Sequence, residues 1–324
     1  MISKDLLNLF QIAKKNKASD LYLSTNSRSM LRVNGELNEL SEARLDKKTI
    51  ETYVKSFLSK EEQEILMTES CVDLNLEIEN EFRLRINIFI QSNGLTAIFH
   101  LIPLEIPEFD SLNLPKHVKN ICGLKSGLVL FAGPSGSGKS TTMASIINEI
   151  NQNQKSHIIT FEDPIEFRFK NIKSIISQRE IGKHIQNYEQ IAKQSIRANP
   201  DVIAIGEIRD SETIKLASIL AETGHLILAT IHAASVVNVI NRIGPQLSDS
   251  LMCVICQRLM KTKKASKRFP ACEILIHNEQ IATLIRQNKL HQIQNVLQFS
   301  QTEGMQTFEQ GLRKVEMNNI NLQN

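Results

Sequence analysis

The sequence predicts an α/β protein in which an N-terminal α+β domain precedes a larger domain built on a parallel sheet. The chain has 324 residues, about twice the length of an average domain, so two domains are expected. Early in the chain apolar residues alternate with polar ones, which is typical of half-buried strands. After residue 115 short apolar runs alternate with helical patterns, which is typical of a parallel sheet.

The first segments predict a helix followed by two strands. A helix is expected after Ser3, because serine is a good N-terminal cap. Apolar runs at residues 21–23 and 31–33 predict strands. Asn34-Gly35 follows the second run directly and predicts a two-residue hairpin turn.

The rest of the N-terminal domain predicts an antiparallel sheet with helices on one face. Residues 49–66 have a helical pattern. Three later segments are expected to form strands: residues 72–78, 82–90 and 95–102. Asn80-Glu81 and Asn93-Gly94 separate these segments and predict turns.

Closely spaced prolines mark the boundary between the domains. They are Pro103, Pro107 and Pro115. Since proline interrupts regular elements, we expect a linker at 103–115 between domains at 1–102 and 116–324.

The second domain predicts a parallel sheet with helices between its strands. The expected strands are residues 128–132, 158–161, 202–205 and 226–231. Asp210 is a good cap for a helix that ends before Gly224. The last eighty or so residues are expected to be mostly helical.

A phosphate-binding loop is the most specific motif. It matches G-x-x-x-x-G-K-[ST] and lies between an expected strand and an expected helix that starts near Lys139. In such loops backbone N–H groups surround phosphates, the lysine reaches the β- and γ-phosphates, and the final hydroxyl, here that of Ser140, ligates Mg²⁺. We therefore expect ATP and Mg²⁺ to bind. The candidate ATP-binding residues are Gly133, Pro134, Ser135, Gly136, Ser137, Gly138, Lys139, Ser140, Thr141 and Thr142.

Ionisable residues follow three other expected strands. They are Glu162, Glu207 and His232. Because the carboxyl ends of parallel strands meet at one edge, these groups are expected beside the phosphate loop. Glu207 suits a Mg²⁺ site or water positioning, Glu162 suits activation of water, and His232 suits contact with the γ-phosphate. The alternative for each is a helix cap or a solvated turn.

Composition excludes several classes of protein. The net charge of +3 and the absence of Trp give no support to nucleic-acid binding. Five cysteines in a chain of this length favour a reducing compartment. No apolar run approaches the ~18 residues of a membrane helix. The N-terminus carries Asp5 and lacks a signal-peptide core. A cytoplasmic protein without a transmembrane segment is expected.

Four motifs resemble those of the secretion ATPase superfamily. Residues 133–142 resemble its Walker A, 162–167 its Asp box, 206–210 its atypical Walker B and 223–232 its His box. Residues 18–21 and 304–308 resemble the type IV pilus retraction ATPases of the PilT/PilU type, and residues 256–259 and 281–312 are more similar to the PilU side. The resemblance covers residues 18–312.

The resemblance implies a hexameric ATPase at the cytoplasmic face of the inner membrane that powers pilus retraction and twitching motility. It implies an N-terminal PAS-like domain, packed on the RecA-like ATPase domain of the neighbouring subunit. Glu162 is then the catalytic base and Glu207 acts at Mg²⁺. His225 and His232 belong to the His box. The N-terminal domain would supply Arg83 and Arg85. Implied partners are a second copy, a paralogous retraction ATPase and an inner-membrane platform protein.

Departures from the family pattern keep alternatives open. Asn93 and His100 stand where the family has arginines, Asn241 stands where it has an aspartate, and the segment between His232 and Gln257 is shorter. The first alternative is a weakly active, PilU-like accessory subunit that works with a second retraction ATPase. An assembly ATPase and a nucleic-acid motor are less favoured.

Two further signals favour structural interpretations. Cys253 and Cys256 form one C-x-x-C pair within an apolar pattern that predicts a helix, and core thiols are favoured over a metal site. The basic run at 261–268 is interpreted as a solvated loop, with contact to anionic lipid or to an acidic platform protein as the alternative.

Overall fold

A computed structural model of the chain describes residues 2–78, 81–187, 189–261 and 268–321. The chain divides into two compact units, Met1–Leu104 and Glu105–Asn324. Each unit has its own sheet, and each is described by itself.

The first unit is an antiparallel sheet covered by helices. Its helices are α1 (Lys4–Lys15), α2 (Lys47–Lys55) and α3 (Lys60–Glu69), and its strands are β1 (Asp20–Ser24), β2 (Arg28–Val33), β3 (Glu36–Arg44), β4 (Cys71–Ile78), β5 (Phe82–Gln91) and β6 (Gly94–Ile102). The strand order is β3-β2-β1-β6-β5-β4. All described neighbours pair antiparallel.

One hydrophobic core joins the helices to one face of this sheet. Phe10 of α1 packs edge-on against Phe99 of β6, with ring centroids 5.1 Å apart. Ile50 and Leu66 bring α2 and α3 into the same core. Helices on one face of an antiparallel sheet were predicted, and the structure confirms them. Ser3 caps α1 as expected, accepting a hydrogen bond from the Leu6 N–H.

The helical pattern predicted over 49–66 is confirmed, but the chain forms two helices there, α2 and α3, with a break between them. Ser59 begins α3 with a capping box: its hydroxyl accepts from the Glu62 N–H, and the Glu62 carboxylate accepts from the Ser59 N–H. A capping box satisfies donors that a continuing helix would satisfy itself, so it favours a new start. Leu58 just before it is buried in the core.

The predicted turns differ in outcome. Asn34 and Gly35 both have positive φ, at 52° and 85°, between β2 and β3, as a two-residue hairpin turn requires. Gly94 likewise has positive φ where β6 begins. Asn80 of the predicted Asn80-Glu81 turn lies outside the described residues.

The second unit is built on a mostly parallel sheet. Its strands are β7 (Gly127–Ala132), β8 (His157–Glu162), β9 (Ile175–Glu180), β10 (Val202–Ile208), β11 (Leu226–Ile231), β12 (Leu251–Lys261) and β13 (Arg268–Ile276), and its helices are α4 (Lys139–Asn153), α5 (Glu189–Ala198), α6 (Ser211–Glu222), α7 (Val236–Ile243), α8 (Glu279–Arg286), α9 (Ile293–Phe299) and α10 (Phe308–Asn321). The strand order is β13-β12-β7-β11-β10-β8-β9.

Cores on both faces of this sheet explain the apolar runs in the sequence. Strand β11 is buried along its whole length, and its residues alternate between the two cores: Ile227 packs in one and Leu228 in the other. A strand buried on both faces shows a continuous apolar run. The runs at 128–132, 158–161, 202–205 and 226–231 form strands as predicted.

The prediction of a mostly helical C-terminal part is wrong for residues 251–276, where β12 and β13 form an antiparallel pair, and holds from α8 onward. Cys253 and Cys256 therefore lie on opposite faces of β12, in different cores. A strand buried on both faces cannot be distinguished from a buried helix by periodicity alone. Burial raises the pKa of the Cys253 thiol to about 12. Among the residues that the structure describes, no group of His, Cys, Asp and Glu could hold a metal ion.

Several predicted features concern segments outside these elements. Phe109 and Leu114, inside the expected linker at 103–115, are buried in a core of the second unit. Within the basic run at 261–268, Lys263, Lys264 and Lys267 lie outside the described residues. No helix in the described part of the chain is long and apolar enough to cross a bilayer.

Candidate functional site at the strand ends

The carboxyl ends of four parallel strands carry the candidate site. β7 pairs with β11, β11 with β10, and β10 with β8, all in parallel register. The phosphate loop at 133–140 therefore follows β7 at the same edge where Glu162 ends β8 and His232 follows β11. Ligands of open α/β sheets bind outside this edge.

Two glycines let the phosphate loop pass very close to β12. Gly133 has φ of 146°, and a Cβ there would lie 2.4 Å from the Gln257 carbonyl oxygen and 2.5 Å from Ser137 Oγ. Gly138 has φ of 90°, and its Cβ would lie 2.8 Å from Gln257 Nε2. Any larger residue at either position would meet atoms of Gln257. The glycines of the motif are thus required by this contact as well as by the backbone angles.

The loop also has unsatisfied donors that fit an anion. The Ser137 hydroxyl is buried and finds no hydrogen-bond partner among the described residues. Gly138 precedes α4, and no described side chain caps this helix, so N–H groups of its first turn remain available. The N-terminal end of a helix also carries partial positive charge. These features suit a phosphate group.

The remaining loop residues differ in their exposure. Pro134, Ser135 and Gly136 are exposed, and Ser140 and Thr141 at the start of α4 are half-buried. Thr142 is buried and its hydroxyl donates to Gln257 Oε1 at 2.9 Å. Gln257 therefore fixes the first turn of α4 from the neighbouring strand.

Lys139 is the buried cation of the loop. Its side-chain nitrogen donates to the carbonyl oxygens of Gly133 at 2.9 Å and Pro134 at 2.8 Å. Burial lowers the pKa of Lys139, while the negative charges of Glu207 and Glu166 act against this shift. Both carboxylates are thus close enough to act on the ammonium.

Glu162 ends β8 with its carboxylate held by three donors. Oε1 accepts from the Thr160 hydroxyl at 2.6 Å and from Gln178 Nε2 at 3.1 Å. Oε2 accepts from the Glu166 N–H at 3.3 Å. Burial raises the pKa of Glu162, and these hydrogen bonds offset only part of the rise. A raised pKa suits a group that must take up a proton.

Glu207 lies in a β-bulge, where the structure differs from the expected strand end at Ile205. β10 continues to Ile208, and its register against β11 shifts between Ile205 and Ile208. Bulges re-aim side chains and are frequent beside active sites. Gly206 permits a close approach to β8, because a Cβ there would lie 3.2 Å from the Glu162 Cα.

Charged groups connect the ends of β8, β10 and β11. His232 Nε2 lies 3.0 Å from Glu207 Oε1. Arg209 donates from Nε to Glu207 Oε2 at 2.8 Å, and from a terminal nitrogen to Asp163 at 3.1 Å. Arg242 of α7 donates to the carbonyl oxygens of His232 at 2.9 Å and Arg209 at 2.8 Å.

The structure does not bring His225 to this edge. His225 precedes β11, whereas His232 follows it, so the six residues of the strand separate them. At ~3.3 Å per residue this is about 20 Å. His225 Nδ1 lies 3.0 Å from the Leu220 carbonyl oxygen. Of the two histidines of the His box, only His232 lies with the phosphate loop.

Arg83 and Arg85 belong to the first unit. Both lie on β5, on the sheet face opposite the core residues Phe82, Leu84 and Ile86. Arg85 pairs across the strands with His100 of β6, and His100 Nδ1 lies 2.8 Å from Asp20 Oδ1. The two arginines thus share one exposed sheet face with His100.

Sequence reasoning missed several residues that contact the site. They are Glu166, Gln178, Arg209, Arg242 and Gln257. Glu166, Arg209 and Gln257 lie within segments that resemble family motifs but were given no role. Gln178 and Arg242 lie in no motif, so no local pattern marks their contacts. Gly206 within an apolar run was an available signal for the bulge.

Comparisons with known proteins agree in family. The model of the family described as "Type II/IV secretion system protein" matches residues 1–324. The chain is 38% identical over 298 residues to a twitching motility protein of Neisseria gonorrhoeae, covering 88% of this chain and 80% of that protein. It is 34% identical over 321 residues to the type IV pilus retraction ATPase PilT of Pseudomonas aeruginosa, covering 95% and 93%.

The chain is also similar to a PilU protein and to a solved PilT structure. The chain is 32% identical over 317 residues to the type IV pilus ATPase PilU of Pseudomonas aeruginosa, covering 94% of this chain and 83% of that protein. A crystal structure of the pilus retraction motor PilT with bound ADP matches with a TM-score of 0.83 and 37% identity, covering 96% of this chain and 93% of that chain.

Proposed function

The chain belongs to the type II/IV secretion system protein family, and we propose that it is an ATP-hydrolysing motor for type IV pilus retraction, and hence for twitching motility. Pilus retraction is proposed from the relatives, and one observation of the structure supports ATP hydrolysis. Glu162, Glu207 and His232 lie at the same sheet edge as the Lys139 loop, on strands that are neighbours in the sheet.

In this proposal the loop from Gly133 to Thr142 binds the phosphates of ATP. Backbone N–H groups and the Ser137 hydroxyl donate to phosphate oxygens, and Lys139 supplies positive charge at the β- and γ-phosphates. The orphaned Ser137 hydroxyl and the uncapped start of α4 support this assignment. Thr142 acts indirectly, because its hydroxyl is committed to Gln257.

Ser140 and Glu207 are the residues that would hold Mg²⁺. A hydroxyl and a carboxylate are oxygen ligands, and Mg²⁺ sites use few protein ligands beside substrate phosphates. When bound, the ion neutralises charge that develops on the phosphates. Arg209 and His232 already contact the Glu207 carboxylate and orient it.

The acid–base role is proposed for Glu162. Its carboxylate takes up the proton of the attacking water, and its raised pKa suits this task. His232 contacts the γ-phosphate from the end of β11. Arg83 and Arg85, on an exposed sheet face, would reach the nucleotide of a neighbouring subunit, where arginine stabilises transition-state charge. His225 keeps no direct role, because it lies at the other end of β11.

The motor is proposed to be a homohexamer at the cytoplasmic face of the inner membrane. The first unit would be a PAS-like domain and the second a RecA-like ATPase domain. Different nucleotide states would favour different conformations of the motor, because each state binds one conformation more tightly. ATP turnover would therefore reorient one domain against the next protomer. An inner-membrane platform protein would receive this motion.

An ATPase assay on size-selected oligomer tests the proposal. Wild type should hydrolyse ATP in a Mg²⁺-dependent way, and Lys139→Ala should abolish turnover. Lys125→Ala is the matched control, because Lys125 is exposed just before β7, at the opposite end of the strand that leads into the loop. If folded wild type and folded Lys139→Ala both fail to hydrolyse ATP, a motor that works alone is contradicted.

A second candidate is an accessory subunit that works with another retraction ATPase. His100 stands where the family pattern has an arginine, and its ring is paired with Asp20 inside its own unit. The similarity to PilU points in the same direction. Mixing with an active retraction ATPase should then give mixed oligomers, and finding only separate ones would contradict this candidate. Restored activity in His100→Arg would support it.

A further inference from the structure

We propose that Gln178 of β9 is a positioning residue that fixes the Glu162 carboxylate, so that Oε2 is the oxygen that receives the proton of water. This inference rests on the proposed function, in which Glu162 activates water for attack on ATP.

The fold places Gln178 beside Glu162 through strand pairing. β9 is the edge strand next to β8, and Gln178 is the partner of Thr160 in their parallel register. Side chains two residues apart lie on the same face of a strand. Thr160, Glu162 and Gln178 therefore share one face and meet there.

The Gln178 amide has only one orientation that satisfies its surroundings. Nε2 donates to Glu162 Oε1 at 3.1 Å and to the Phe167 carbonyl oxygen at 2.7 Å. Oε1 accepts from the Phe169 N–H at 3.0 Å. A flipped amide would set oxygen against two acceptors and NH₂ against a donor. The donor that faces Glu162 is thus fixed by the segment that follows β8.

The two oxygens of Glu162 are consequently unequal. Oε1 accepts two hydrogen bonds, from Gln178 and from the Thr160 hydroxyl. Oε2 accepts from the Glu166 N–H, at the longer distance of 3.3 Å. Since a carboxylate has about four lone-pair sites, Oε2 keeps the capacity to accept from water.

The chemical step uses that capacity. The water oxygen bonds to the γ-phosphorus while its proton moves to Glu162 Oε2. The bond between the γ-phosphorus and its bridging oxygen breaks, and the electron pair leaves with ADP. Oε1 stays with its two donors throughout, so the carboxylate does not rotate away.

The same contacts tune the acidity of Glu162. Burial raises the pKa of its carboxyl, and the charge of Glu166 raises it further. Thr160 and Gln178 donate to the charged form and lower it. Glu180, the strand partner of Glu162 on β9, is a further acid nearby, and its carboxylate is paired with Lys183. Loss of the Gln178 donor should therefore move the acidic limb of the kcat profile to higher pH.

A purely structural role for Gln178 is the competing explanation, because the amide also holds the segment at 167–169. Thr160→Val separates the two roles, since Thr160 donates to Glu162 and its substitution leaves the Gln178 contacts to Phe167 and Phe169 in place. Asn171→Ala is the control for the segment, because Asn171 accepts from the Ile176 N–H there and is exposed.

Steady-state kinetics of the full-length oligomer across pH tests the proposal. Gln178→Leu and Thr160→Val should each lower kcat about 10- to 100-fold at neutral pH. Each should also move the acidic limb of the kcat profile to higher pH and leave ADP affinity nearly unchanged. Asn171→Ala should behave as wild type. Equal profiles for wild type and both variants, or the same shift in Asn171→Ala, would overturn the inference.

A thermal double-mutant cycle provides a readout that does not need turnover. Wild type, Gln178→Leu, Glu162→Gln and the double variant are unfolded across pH, with ADP affinity as a folding check. Gln178→Leu should lower the stability of the fold more when Glu162 is present and ionised than in the Glu162→Gln background. No coupling at any pH would overturn the positioning role. If Gln178 and Glu162 are coupled but the protein shows no Lys139-dependent ATP turnover, the positioning role stands and the proposed function is refuted.

Discussion

His232 Nε2 lies 3.0 Å from Glu207 Oε1 and joins the ends of two neighbouring strands. The other oxygen of Glu207 accepts from Arg209 Nε at 2.8 Å. Both oxygens are therefore oriented by side chains from the same sheet edge. Charge-assisted contacts of this kind are stronger and more directional than neutral ones. A nucleotide bound at the loop would meet a carboxylate that is already positioned.

The two histidines at opposite ends of β11 should respond differently to substitution. We expect His232→Gln to lower ATP turnover by about 10²-fold, because it removes a group aimed at developing charge. His225→Gln should leave turnover within about twofold, since its ring contacts the Leu220 carbonyl oxygen at the far edge. Steady-state kinetics with melting curves as a folding check measures both. Equal losses in the two variants would refute the assignment.

Arg242 should matter for turnover although it touches no residue of the phosphate loop. Its guanidinium bridges the carbonyl oxygens of His232 and Arg209 and so holds the segments after β11 and β10 in position. Arg242→Gln should lower kcat about 10-fold or more with ADP affinity nearly unchanged. Arg286→Gln is the control, because Arg286 pairs with Asp249 and Glu279 at the surface and such pairs contribute little. A normal kcat in Arg242→Gln would exclude this role.

Two glycines of the phosphate loop offer a matched pair of substitutions. Both have positive φ, but a Cβ at Gly133 would lie 2.4 Å from the Gln257 carbonyl oxygen, whereas nothing lies within 4 Å at Gly136. Gly136, with φ of 71°, lies in the left-handed region, where a residue with a Cβ costs about 1–2 kcal/mol. Gly133, with φ of 146°, has a backbone conformation that residues with a Cβ rarely adopt. Gly133→Ala also displaces the loop, so it should weaken ATP binding at least about 10-fold more than Gly136→Ala. Titration with a fluorescent ATP analogue measures this, and similar affinities would argue against the close contact.

Glu162→Gln should stabilise the fold while it abolishes turnover. Burial raises the pKa of Glu162 in the folded protein, so folding favours the protonated carboxyl. The stability that this group contributes is fully present below its unfolded pKa and is lost as pH rises through the folded pKa. The uncharged variant avoids that loss. Its melting temperature should therefore exceed that of wild type at pH 8, and the difference should shrink in acid. A difference independent of pH would contradict the prediction.

Local residue chemistry was sufficient to predict the phosphate loop and the strands around it. Glycines, Lys139 and a hydroxyl lie within eight positions there, and the elements on either side have strong patterns. Glu162 and His232 were predictable because parallel strands must end at one edge. The error over β12 and β13 has a physical cause, since strands buried on both faces lose their alternation.

The sequence by itself determined that a loop with the phosphate-binding motif is followed by acids and a histidine at the ends of apolar strands. Only the tertiary structure decided which groups touch. It separates His225 from His232 by the length of β11, and it brings Gln178 from an edge strand to Glu162. It also sets Gln257 against the loop and Arg242 across two strand ends. These contacts join residues far apart in the chain, so they follow from strand order and register, which no local pattern encodes.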